Sequence, residues 1–125
     1  MTTPTLLPET LIEGTTGHYD FTMDVDAAFL MTLTVSLLDA ETGVPLHGRD
    51  HQDILNTNGG SVTTDQGPPL VTTILLELSP ADTSILNETR RVEYRILDFR
   101  WTWDGGLRHG AHLVQFGIDN TASVP

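Results

Sequence analysis

The chain has 125 residues, no cysteine, and seventeen acids against six bases, for a formal charge of −11. That length suits one domain, the missing thiols exclude a disulfide framework and thiolate metal sites, and the negative charge argues against nucleic acid as a partner. No apolar run nears the ~18 residues of a membrane helix, and no basic stretch precedes an apolar one at the N-terminus, so neither a membrane partner nor a signal peptide is expected.

Residues 1–17 show neither helical nor strand period. Pro4 and Pro8 interrupt them and Gly14 and Gly17 close them, so they read as an extended N-terminal arm. The arm carries Leu6, Leu7, Leu11 and Ile12, where a solvating tail would be polar. It is expected to lie extended across a neighbour, either another subunit or a shell protein. A domain over 18–120 and a short tail, 121–125, follow.

Within that domain, Tyr19, Phe21, Met23 and Val25 alternate with polar residues, which predicts a half-buried strand over 18–25. Phe29, Met31, Leu33, Val35 and Leu37 share a face of a second strand over 29–38, and its threonines suit the pleat. Residues 44–60 are long, irregular and rich in Asp, Asn, His and Gly. Such loops are usually functional or partly ordered on their own, and Arg49, Ile54 and Leu55 become candidate interface residues alongside the four of the arm. A short strand is expected at 61–64.

Leu70 to Leu78 is apolar on both faces, as in a central, covered strand. Ser79, Pro80 and Asp82 spell a helix start, giving one or two turns through Leu86. From 89 to 103 the apolar phase changes. Val92, Tyr94 and Ile96 share one face, then Leu97, Phe99, Trp101 and Trp103 another, as a β-bulge at Ile96–Leu97 would produce. Val114, Phe116 and Ile118 mark a last strand over 111–119, pairing back across a hairpin. The sum is an all-β chain, a sandwich of about seven strands with one short helix. Tyr19, Phe21, Leu33, Val35, Ile74, Leu76, Phe99, Trp101, Phe116 and Ile118 are its expected core.

Signals for chemistry are sparse. All six bases are arginine, and Arg90, Arg91, Arg95 and Arg100 fall in one segment. They read as a charged strand face, with an arginine interface as the alternative. His47 and His51 are four apart and His109 and His112 three apart, but neither pair lies in an expected helix. A separation of three in a strand puts the second pair on opposite faces. Asp50 and Asp53 lack the alternating acids of a calcium loop and read as turn formers. No nucleophile elbow, phosphate loop or dinucleotide fingerprint is present. Neither catalysis, a cofactor nor a metal is therefore expected. Trp101 and Trp103 lie two apart, about 7 Å along a strand. They read as core anchors or, if exposed, as a sugar-stacking platform.

The C-terminal half carries a resemblance. Leu78 to Thr83, Tyr94 to Trp103, Asp104-Gly105-Gly106 and Gly110 to Phe116 are similar to small Ig-like proteins in the structural modules of tailed bacteriophages and prophages, over roughly residues 29–119. The resemblance implies an immunoglobulin-like β-sandwich that is a virion component assembled in the host cytoplasm. It would be first a capsid decoration or cement protein on the outer surface of the head, bound to the major capsid protein or another virion protein. A tail or neck accessory module is the alternative, and a carbohydrate-binding or adhesion module using Trp101 and Trp103 another. A homo-oligomer, a trimer foremost, fits the first role. The family supplies no catalytic residues.

Overall fold

A computed structural model describes residues 5–85 and 91–120. Two β-sheets face each other. One has the order β1 (Thr5–Ile12), β8 (Arg108–Asp119), β7 (Val92–Trp103), β3 (Leu30–Asp39), β4 (Gln52–Asp53). The other has the order β2 (Gly17–Met23), β6 (Val71–Leu78), β5 (Gly60–Asp65). Neighbours pair antiparallel except β1, which runs parallel to β8. The chain is all-β as its alternation predicts.

Period-two patterning builds the core. Leu33, Val35 and Leu37 of β3, Leu97 and Phe99 of β7, and Val114, Phe116 and Ile118 of β8 meet Ile74, Leu76 and Leu78 of β6, all buried. Each such side chain contributes about 1.5 to 3 kcal/mol by leaving water. Tyr19, Phe21 and Trp101 are less deep than expected, half-buried against this cluster.

Five sequence readings need correction. The segment read as an extended arm across a neighbour is, over Thr5–Ile12, a strand of its own domain. β1 bonds to β8, with a register shift between Leu6 and Thr10 that spans Pro8, a residue without an N–H for the ladder. Leu7 and Leu11 pack on the core while Leu6 and Ile12 face out, so this strand covers its own domain.

The bulge expected in β7 is absent. Its register with β8 is unbroken from Val92 to Trp103. The inward positions before Leu97 are filled instead by Glu93 and Arg95, 5% and 1% exposed, with Arg95 Nη2 donating to Glu93 Oε1 at 2.6 Å. An ion pair in the core broke the apolar period; the backbone did not slip. Arg95 thus leaves the charged face, Arg100 stays on it with Asp98, and Arg90 lies outside the described residues.

The real bulge is in β3. Leu30 pairs with Trp103 but Thr32 with Thr102, so Met31 is the extra residue. Phe29 and Met31, expected inside with Leu33, are therefore 66% and 56% exposed.

The helix expected from Ser79 closes only one turn, Thr83 N–H to the Ser79 carbonyl at 3.3 Å, and the last position of that expectation, Leu86, is outside the described residues. A three-residue 3-10 helix stands elsewhere, at Ala27–Phe29. Finally, β6 is covered on one face only, since Leu75 and Val71 reach solvent.

Candidate functional site

The bulge and the 3-10 turn together shape one end of the sandwich. A cleft of about 830 Å³ opens there between the β2–β3 connection, Leu70 and the tip of the β7–β8 hairpin. Phe29, Leu30, Met31, Leu70 and Trp103 line it, and Asp24, Asp26, Asp104 and Arg108 stand among them. At the hairpin tip Leu107 is 82% exposed. Large apolar side chains grouped in the open mark binding surfaces on soluble domains.

The β2–β3 connection is held by a short relay of hydroxyls. The Thr72 hydroxyl, fully buried, donates to the Val25 carbonyl at 2.6 Å. That leaves Thr64 to donate to Thr72 Oγ1, at 2.8 Å, while accepting the Ala27 N–H at 3.0 Å. Asp26 caps the 3-10 turn, with Oδ1 accepting the Ala28 N–H at 2.9 Å and Oδ2 the Gln66 side-chain amide at 3.0 Å. The Ala28 N–H first, then Gln66, holds the Asp26 carboxyl below its ordinary range. Phe29 is therefore presented on a turn whose N-terminal side is held by Asp26 and Thr64.

The sequence-predicted interface residues do not gather here. Arg49 is 7% exposed and clamps the opposite side of β6. It donates to Asp82, to Gln52 Oε1 at 2.8 Å, to the Asn58 carbonyl at 3.1 Å and to the Glu77 carbonyl at 3.4 Å. Gly59 walls this cage at φ +89°, and a Cβ on it would stand 2.8 Å from the Glu77 carbonyl. Ile54 is fully buried, and Leu55 packs on the core. The 44–60 loop thus spends Arg49, Ile54 and Leu55 on holding itself to the domain. With Leu7 and Leu11 also turned inward, Leu6 and Ile12 are the two predicted residues that remain open, 60% and 51% exposed.

Trp101 and Trp103 serve different ends. Trp101 packs against Phe21, ring centroids 5.8 Å apart, and lies over Gly110, where a Cβ would approach its ring at 2.3 Å. Trp103 lines the cleft. The inward Trp101 leaves no shared two-ring platform.

The histidines are likewise divided. His109 is exposed and His112 points inward, on opposite faces of β8 as their spacing predicts. His112 stacks on Phe21 at 4.4 Å and its Nε2 lies 2.6 Å from the Tyr19 hydroxyl, a hydrogen bond between the two sheets. Burial lowers the His112 pKa, and burial, then Asp20, raises that of Tyr19. His51 Nδ1 pairs with Asp50 at 2.7 Å, and Asp53 accepts the Leu55 N–H at 3.0 Å as a turn former does. Among the described residues no group of three or more His, Asp or Glu is placed to hold a metal ion.

The end cleft was missed in the sequence because Phe29 and Met31 fit the inward phase of β3. The signal was the unbroken run Phe29-Leu30-Met31, three apolar residues where alternation allows two. Compared with protein-family models, with curated proteins and with solved structures, the chain matches none.

Proposed function

We propose that the chain is a non-enzymatic, immunoglobulin-like structural module of a tailed-phage virion, a head decoration protein that docks on the major capsid protein by the cleft end of its sandwich. The observation that carries the docking face is the exposure of Phe29 and Met31 on one cleft that Trp103 and Leu70 also line, at one end of a strongly acidic domain. An apolar end on a charged body suits a protein that must remain dispersed at high concentration and still seat on a surface.

Support for the finer topology comes from strand order. The orders β1-β8-β7-β3-β4 and β2-β6-β5 are those of immunoglobulin strands A′-G-F-C-C′ and B-E-D. In that correspondence the cleft is built by the B–C and F–G connections, which form the binding end of variable domains. Leu6 and Ile12 on β1, an edge strand with no second neighbour among the described residues, supply a separate contact for a homo-oligomer, a trimer in the favoured arrangement.

Immunogold labelling with antibodies to the chain, on phage particles released from induced source cultures, tests the assignment. Label on heads is expected. Label on tails alone moves the protein to a tail or neck position, and unlabelled particles contradict a virion role.

A further inference from the structure

The end cleft has more than an apolar floor. Asp24, Asp26 and Asp104 stand around Phe29, Met31 and Trp103, with Arg108 as the one cation lining the cleft among the described residues. From this combination we infer that the cleft seats a basic side chain, arginine or lysine, presented by an apolar segment of the partner protein. The inference rests on the docking role proposed for this end.

Each part of such a side chain has a counterpart. The aliphatic stem of arginine or lysine lies well along apolar surface while its head stays polar. Aromatic faces such as those of Trp103 and Phe29 attract a cation above the ring, and Met31 is a flexible filler that adapts to an irregular partner. For the head, Asp26 is already oriented by the Ala28 N–H and Gln66 and needs no reordering. Asp104 meets Arg108 at 3.4 Å through side chains 59% and 67% exposed. Such an exposed pair is weak and readily exchanged. The relay from Ala27 through Thr64 and Thr72 to Val25 keeps Phe29 and Asp26 in register, so less ordering is needed on binding. The overall charge of −11 steers cations toward the domain and anions away.

The test uses the full chain, isotope-labelled, and two blocked tripeptides, Leu-Arg-Leu and Leu-Gln-Leu, followed by NMR at the Trp103 indole N–H and the Met31 methyl. The arginine peptide is expected to shift both signals saturably and to bind at least tenfold tighter than the glutamine peptide. Asp24→Asn with Asp104→Asn should cut that preference at least threefold, Asp26 remaining as the third carboxylate, and about 0.5 M salt should weaken the arginine peptide selectively. Equal binding of both peptides points to an apolar partner and overturns the inference. So does a response to maltohexaose alone, or a shift of the same signals with protein concentration, which would mean a second copy fills the cleft. Failure here is separable from failure of the docking role. If capsid-shell binding depends on Phe29 and Met31 yet survives Asp24→Asn with Asp104→Asn, docking stands and the basic side chain does not.

Discussion

Arg49 and Asp82 face each other in a two-toothed ion pair. Nε donates to Oδ1 and Nη2 to Oδ2, each at 2.9 Å, with both residues buried. Asp82 also accepts the Ser79 N–H at 2.8 Å, so one carboxylate ties the long loop, the end of β6 and the turn after it. The same bonds form a capping box, with Ser79 Oγ also accepting the Asp82 N–H at 3.3 Å, and the one turn from Ser79 to Thr83 follows it. The Asp82 side chain is turned to Arg49 and Ser79, and the turn closes around that pair.

Removing one partner should therefore be costly. Asp82→Ala leaves Arg49 charged and buried, with an expected loss of about 3 to 5 kcal/mol in urea unfolding. Arg49→Met with Asp82→Leu should cost much less than either single change implies. A loss under about 1 kcal/mol for Asp82→Ala would show that the pair is not desolvated as the structure has it.

Two part-buried groups, Asp82 and His112, shape the acid side of the stability profile, and the exposed Asp26, whose carboxyl is also held low, adds to the lower decline. Burial raises the Asp82 carboxyl, but the Arg49 and Ser79 bonds and the Arg49 charge together outweigh it, and the net shift is down. Burial shifts His112 down as well. Both folded pKa values lie below the unfolded ones, so the unfolded chain binds more protons and acid favours unfolding. The His112 contribution is whole above about 6.5 and is lost as pH falls through its lowered value; the Asp82 contribution is whole above about 3.8 and is lost below that. Urea midpoints against pH should show two declines, the first absent in His112→Gln and the second reduced in Asp82→Asn. A flat wild-type curve from pH 7 to 5 would refute the role given to His112.

Trp101 and Gly110 form a matched pair across β7 and β8. Trp101→Ala should cost about 3 kcal/mol, the lower end for a large aromatic because the ring is half-buried. Gly110→Val should displace the indole, costing about 1 to 3 kcal/mol and shifting tryptophan emission to the red. Unchanged emission in Gly110→Val would mean that the ring does not rest there.

The two faces of β1 should behave differently. Leu11→Ala is expected to lower stability by about 1 to 2 kcal/mol, since Leu11 covers the core only partly. Leu6→Ser with Ile12→Ser should leave the melting temperature nearly unchanged and act on self-association, read by sedimentation. If deletion of residues 1–12 leaves thermal stability intact, β1 contributes nothing to its own domain.

The strands of the middle sheet positions were legible because their alternation is local. Leu33, Val35 and Leu37, or Ile74 and Leu76, announce a buried face within a few residues. β1 was not, because its partner β8 is about a hundred positions away and Pro8 with the shift at Leu6 to Thr10 removes any period. β7 misled because Glu93 and Arg95 neutralise each other inside the core, and a pattern of polarity cannot distinguish a paired buried charge from a solvated one. The candidate site was hidden for a related reason. Its shape depends on one extra residue, Met31, and on hydroxyl bonds between Thr64 and Thr72 of neighbouring strands, neither of which alternation reports.

The docking end is tested most directly by sedimenting the purified protein with assembled shells of the major capsid protein free of decoration. Wild type should co-sediment saturably. Phe29→Ser with Met31→Ser, both exposed and so neutral for folding, should weaken binding at least tenfold while circular dichroism and melting stay unchanged. Shells that do not bind the wild type, or that bind the folded double variant equally well, would contradict the account.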